Sequence, residues 1–244
     1  MTRFILSVLV SLALTCSQVL ASGFLLNSFS VAPAFPTYEY KGCSSPGAAS
    51  TTYTLTATNV GTAASDRLTV IGITTSDAAT VYNVSTVTVG GDSASNTVSS
   101  SRASSVGGAD FYQLSNPAGT SEDVVVTMSE ATNGLTICVW ALYGLASSTA
   151  VATNSGASAS AASMSLNINV SANGIALGMC GGQTNGSPFS WTGLTLLDEA
   201  NGGGVAGSYS SAMLNPSSAS TPLTVACDPN GSTVDQGAVA ASWR

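Results

Sequence analysis

The stretch that most constrains the fold is FYQLSNPAGTSEDVVVTMSEATNGLTICVWALYG, from Phe111 to Gly144. Three β-rich runs are separated by Asn116-Pro117-Ala118-Gly119 and by Asn133-Gly134. Pro presets the φ that a turn needs, and Gly and Asn accept backbone conformations that other residues avoid, so the stretch reads as three strands joined by tight turns. Asn133-Gly134 is the strongest hairpin signal in the chain. The second half echoes this order. Tyr209 to Trp243 again runs from an aromatic strand through Asn-Pro, a β-rich run and Asn-Gly to a small-residue strand ending on an aromatic. Leu223 stands to Val124 as Val225 stands to Val126, with the same spacing.

Elsewhere the chain keeps strand periodicity. Thr51–Thr58 alternates Tyr53, Leu55 and Ala57 with threonines, which predicts a half-buried strand. Asp66–Thr75 predicts a fully buried strand, and Val81–Gly90 another that turns at Gly90-Gly91. Ser93–Ser105 is a short strand or a loop. Ala109–Ser115, Asp123–Ser129 and Leu135–Tyr143 follow as strands, the second with Val124, Val125 and Val126 as an interior one. Ala146–Ala162 is Ser/Ala-rich and carries no helical period. Met164–Val170, Ile175–Cys180, Phe189–Leu196, Tyr209–Leu214, Leu223–Cys227 and Ala238–Trp243 complete the set. The fold expected is an all-β antiparallel sandwich, jelly-roll-like, over 51–244, with a pseudo-repeat of 66–145 and 164–243 packed as one domain. Trp140, Tyr143, Trp191 and Trp243 fall on strands, where core packing is their expected role.

The N-terminus is organised differently. Arg3 precedes the apolar run Phe4–Thr15, and Val19 and Ala21 precede a cut after Ala21. This is the plan of a signal peptide over 1–21, with the apolar run covering only ~18 Å of helix, too short to cross a bilayer. An uncleaved apolar segment is the alternative. Residues 22–50 carry Pro33, Pro36 and Pro46 and read as an extended arm or linker rather than a core strand. Phe24, Leu25, Leu26 and Phe29 make this arm apolar enough to pack along the domain or on a neighbouring subunit.

Composition excludes several function classes. Charged residues are 7 % of the chain and the net charge is −7, with five Lys and Arg together. No basic patch can neutralise phosphates, so neither nucleic acid nor an anionic membrane surface is an expected partner once the leader is removed. There is no histidine, which removes Ser-His-Asp and Cys-His chemistry, and no Cys-x-x-Cys pair provides a zinc site. No phosphate-cradling glycine loop follows a strand into a helix. Glu122-Asp123 and Asp198-Glu199 are read as charges that discourage edge pairing rather than as glycosidase carboxylates. Asp77, Asp92 and Asp110 have calcium-ligand chemistry but not the spacing of a calcium loop. No catalytic residue, metal site or cofactor is therefore expected.

Cys43, Cys138, Cys180 and Cys227 remain after the leader and allow two disulfides in three connectivities. Cys138 and Cys180 lie in apolar runs, where a free thiol serves as a small hydrophobe. The sequence therefore favours at most one bridge.

The segments DRLTVIGIT, VSTVTVGG, FYQLSNPAGTSEDVVVTMS, VWALYGL, FSWTGLT and AVAASWR together resemble β-sandwich virion-associated proteins of marine tailed phages and related alphaproteobacterial proteins. The likeness runs over Thr51–Arg244 and carries no defined functional residues. It implies a non-enzymatic structural or attachment role, capsid decoration or tail-associated, with self-association or other structural subunits as partners and a place on a virion surface or outside the cell. The other class open to such a chain is a secreted carbohydrate-binding or adhesin-like module. Its sugar would stack on exposed aromatics, for which Tyr82, Tyr112, Trp191 and Tyr209 are the candidates.

Overall fold

The computed structural model describes residues 35–75, 82–100, 107–115, 118–132, 134–161, 163–182, 189–201, 208–214, 220–230 and 234–244. The leader, the apolar arm at Phe24–Phe29, Asp77, Asn116-Pro117 and Asn133 lie outside them. Strands in the first half are β1 (Thr37–Ser44), β2 (Ser50–Asn59), β3 (Leu68–Thr75), β4 (Val84–Val89), β5 (Asp92–Ser93), β6 (Ser95–Ser99), β7 (Gly108–Ser115), β8 (Ser121–Thr132) and β9 (Leu135–Tyr143). The second half has β10 (Ala152–Ala161), β11 (Met164–Val170), β12 (Ile175–Gly182), β13 (Ser190–Thr192), β14 (Thr195–Asn201), β15 (Ser208–Leu214), β16 (Ser220–Asp228) and β17 (Val234–Trp243). All pairings are antiparallel, and no helix occurs among the described residues.

These strands form four sheets in the orders β2-β8-β4-β5, β1-β9-β3-β7-β6, β10-β17-β12-β15-β14 and β11-β16-β13. The third order repeats the second when β10 stands for β1, β12 for β3, β14 for β6, β15 for β7 and β17 for β9. By the same substitution the fourth repeats the first, with β5 lacking a counterpart. Each half is thus a sandwich with jelly-roll connectivity, and in the first half the strand formed by β5 and β6 splits its pairing between the two sheets. The recurrence is wider than 66–145 and 164–243. It takes in β1 and β2 on one side and β10 on the other.

Three hydrophobic cores show how the sheets stack. One lies within the first sandwich, with Ile71, Ile73, Ile137 and Val139 facing Tyr53, Val87, Val124 and Val126. Another lies within the second, where Ala176, Cys180, Ala238 and Ala240 face Leu166, Ile168, Val225 and Cys227. Between the halves, the two five-stranded sheets pack face to face through Val70, Phe111, Trp140, Leu177, Met179, Val239 and Trp243. The result is four layers with both middle sheets buried on both faces. This is why β3, β9 and β12 are buried along their length instead of alternating, while β2 and β11 in the outer sheets keep the period of two.

Glycines set the spacing where the two middle sheets cross. A Cβ at Gly72 would run into Met179 of β12 and Trp140, and one at Gly181 would run into Thr74 of β3. Each central strand leaves room for a side chain of the other, a use of glycine that depends on close approach rather than on a special φ. Phe111 lies edge-on to Trp140 at 5.9 Å and to Trp243 at 6.4 Å, and Trp243 Nε1 donates to Gln113 Oε1 across the halves at 3.0 Å.

Four expectations are corrected. Residues 37–44, expected within an arm or linker, form the edge strand β1 on β9. Asn133-Gly134 does not close a hairpin, because β8 and β9 belong to different sheets, and the same holds for Asn173-Gly174 between β11 and β12. The chain crosses the first sandwich between β8 and β9 and the second between β11 and β12. The single strand expected over Phe189–Leu196 is two strands in different sheets, broken at Gly193, whose φ is +79°. Finally, both disulfides exist. Cys43 bridges Cys138 directly opposite it in the β1–β9 ladder, and Cys180 on β12 bridges Cys227 on β16 across the second sandwich. Each half therefore carries one.

Candidate functional site

The four aromatic candidates fall in three different places. Tyr82 and Tyr112 are both 8 % exposed and share the core of the first sandwich, where the Tyr112 hydroxyl donates to Val84 O at 3.3 Å. Tyr209, 7 % exposed, faces the core between the halves from β15. Trp191 is half-buried over the core of the second sandwich, its ring above Gly178 and its Nε1 donating to Ser210 Oγ at 2.7 Å. Tyr82 and Tyr112 come together, but the four do not share a surface. Sheet layers stand ~10 Å apart, and a ring at an inward strand position fills that gap.

The polar side chains gather instead at the margins of the stack. Where β1 overlies β14, the Tyr40 hydroxyl donates to Asp198 Oδ2 at 2.8 Å and lies 3.0 Å from Cys43 Sγ, with the Tyr40 ring tilted on Trp140 at 5.5 Å. Burial, and then the neighbouring carboxylate, push the Tyr40 hydroxyl above its ordinary pKa. Tyr209 is raised for the same two reasons. Asp198, read in sequence as an edge charge, thus ties the two halves together, a role that no local pattern marks.

At one end of the first sandwich, Arg67 is 1 % exposed and clamps two loops. Its Nη1 donates to Gly61 O and Gly119 O at 2.9 and 2.7 Å, and its Nη2 donates to Ala118 O at 2.7 Å. Its Nε has no partner among the described residues. Nearby, Glu39 pairs with Lys41 at 2.6 Å and accepts from Thr62 N and Thr62 Oγ1. Lys41, followed by the Thr62 donors, holds the Glu39 carboxyl down at about 2. Asp66 accepts from Gly144 N at 2.8 Å, and Asp123 from Ala57 N at 2.8 Å. These carboxylates serve loops and strand irregularities. Asp92 is exposed on β5 and Asp110 buried on β7, and no group of three or more metal-ligating side chains occurs among the described residues.

One opening stands out. A cleft of about 320 Å³ lies between β1 and β2, lined by Lys41–Ser44, Thr54–Thr56 and Thr58 over a floor of Ile137 and Val139. Neither strand has a second neighbour in its sheet on that side. The matching corner of the second half is closed, with Met164 and Leu166 pressed against Gly156 and Asn154 Nδ2 donating to Asn167 O at 2.9 Å. The cleft offers threonine hydroxyls, the Lys41 side chain and an apolar floor. It was not legible in sequence, because β1 was not read as a strand.

The chain matches no protein-family model. No curated protein matches it either. Among solved structures, an anti-sigma factor domain-containing protein is similar at 9 % identity over 78 % of this chain and 78 % of that one, with a TM-score of 0.22. A likeness of that size carries no argument about fold or function.

Proposed function

We propose that this chain is a non-enzymatic structural or attachment subunit of a virion or surface assembly, of the capsid-decoration or tail-associated kind. The observation that carries the reading is the tandem of two jelly rolls with one strand order, fused through two sheets buried on both faces. Jelly rolls serve as capsid and lectin modules, and a fused pair makes a stiff building block. The described polar side chains support the same reading, since Arg67, Glu39, Asp66, Asp123 and Asp198 all hold loops or layers. One disulfide per half suits an oxidising location, a particle surface or the outside of a cell.

The disulfides equally favour the second reading, a secreted carbohydrate-binding or adhesin-like module. The burial of Tyr82, Tyr112 and Tyr209 leaves the cleft beside Thr54, Thr56 and Thr58 as its better surface. Sedimentation velocity on the chain from Ser22 onward, together with a glycan array on the same sample, separates the two. A defined oligomer that ignores glycans supports the structural subunit. A monomer at high concentration that binds a glycan replaces it with the secreted module.

A further inference from the structure

We propose that the Cys43–Cys138 bridge is a reducible clasp on the edge strand β1, whereas Cys180–Cys227 is a permanent staple. The two bridges differ at one end: Cys138 is 0 % exposed, as buried as Cys180 and Cys227, whereas Cys43 is only half-buried. Cys180 lies on β12 between β17 and β15, and Cys227 on β16 between β11 and β13. They are 0 % and 1 % exposed within the core of the second sandwich. A reductant reaches them only if that sandwich opens, an event close to global unfolding.

Cys43 lies on β1, which ends its sheet and is hydrogen-bonded to β9 alone. The residue is part-exposed, and the ladder beside it is interrupted between Tyr40 and Gly42, where Gly42 has a φ of +96°. Outside its two chain neighbours, no atom lies within 4 Å of where a Gly42 Cβ would stand, so the strand has open space at the interruption next to Cys43. Fraying of this one edge exposes the Cys43 sulfur, and edge fraying costs far less than opening a core. Access of this kind governs the rate of thiol–disulfide exchange.

The reductant is a dithiol. One of its thiolates attacks Cys43 Sγ, the S–S bond breaks, and Cys138 leaves as a thiolate that takes up a proton. The second thiolate of the reagent then displaces Cys43 Sγ, which is protonated in turn. The dithiol ends as a cyclic disulfide, and the protein gains two electrons and two protons. Without the bridge, β1 keeps an interrupted one-sided ladder, the Glu39–Thr62 hydrogen bonds, the Tyr40–Trp140 ring contact and the Tyr40–Asp198 hydrogen bond. The last of these joins the two halves, so a reducing environment loosens the margin between them as well as the wall of the β1–β2 cleft. The inference stands on the strand order and burial alone, whichever partner the protein serves.

The test treats the full chain, both bridges formed, with dithiothreitol under native conditions, followed by alkylation with iodoacetamide and peptide mass mapping. Cys43 and Cys138 should be labelled at least about tenfold faster than Cys180 and Cys227, as local opening precedes global opening. Hydrogen exchange on the half-reduced protein should rise in Thr37–Ser44 while Ile175–Gly182 stays protected. The double substitution Cys43→Ser with Cys138→Ser should reproduce that exchange pattern without reductant. Equal labelling of both pairs, or full protection of Thr37–Ser44 in the half-reduced protein, overturns the proposal. Should the double variant fail to fold, labelling of the unaltered protein still decides.

Discussion

Gly72 gives the sharpest handle on the packing between the two halves. It lies on β3 and faces the core shared by the two middle sheets. An added Cβ would collide with Met179 Sδ, stand 2.7 Å from Trp140 Cζ3 and come within 3.1 Å of Phe111 Cε1. Met179 can swing its thioether, but Trp140 is 0 % exposed and Phe111 is wedged between Trp140 and Trp243. Overpacking of such a site costs about 1–3 kcal/mol. Replacing glycine by alanine at an ordinary strand φ returns about 0.4–1 kcal/mol through the unfolded chain. The net expectation for Gly72→Ala is a loss of roughly 0–2.6 kcal/mol, or a fall in Tm of up to a few degrees for a protein of this size. Urea melts of Gly72→Ala, Met179→Ala and the double variant measure it as a cycle. Met179→Ala alone should cost about 2–5 kcal/mol through the cavity it leaves. In the double variant the new methyl occupies part of that cavity, so the losses should sum to less than the two singles. A neutral Gly72→Ala that is additive with Met179→Ala would refute the face-to-face packing of β3 on β12.

Further outcomes follow from the margins of the stack. Arg67→Met should lower stability by about 3 kcal/mol in urea melts, because three loop carbonyls lose a charged donor at once. Tyr40→Phe should cost about 1 kcal/mol by the same assay, with the loss shared by Asp198→Asn in a double-mutant cycle. The folded-state pKa of Tyr40 is raised, so its contribution is complete below about pH 10 and drains away at higher pH. Alkaline melts of Tyr40→Phe should therefore fall less steeply than those of the parent. Glu39 acts in the opposite sense. Its folded pKa is lowered to about 2, so its small surface contribution is present above the ordinary value of 4.5 and fades as pH drops towards about 2, a slope that Glu39→Gln should flatten.

The fold class was legible because the outer sheets obey the simplest rule. In β2, Tyr53 faces in while Thr52 and Thr54 face out, and β11 alternates in the same way. The Gly90-Gly91 turn returned the chain into β5 as its chemistry required. Turn chemistry, however, states that a chain reverses without stating which sheet it re-enters. That is why the Asn133-Gly134 signal predicts a hairpin although β8 and β9 lie in different layers. The strand β10 escaped notice because ATNSGASASA has no apolar alternation, and its place was set by the full-length ladder on β17. The sequence leaves the second disulfide open for a related reason. A cysteine in an apolar run is compatible with a buried thiol or a bridge, and only the pairing of β1 with β9 and the packing of β12 on β16 decide. The aromatic candidates failed to gather on one surface because a four-layer stack has three interiors, and each ring found one.

The most direct test of the assignment is the intact mass, N-terminal sequence and copy number of the native chain, measured separately in purified particles and in culture supernatant. The structural-subunit account expects the chain in particles at a fixed number of copies, with both disulfides formed. A chain found only free in the supernatant, beginning at Ser22 and absent from particles, would contradict it and leave the secreted binding module in its place.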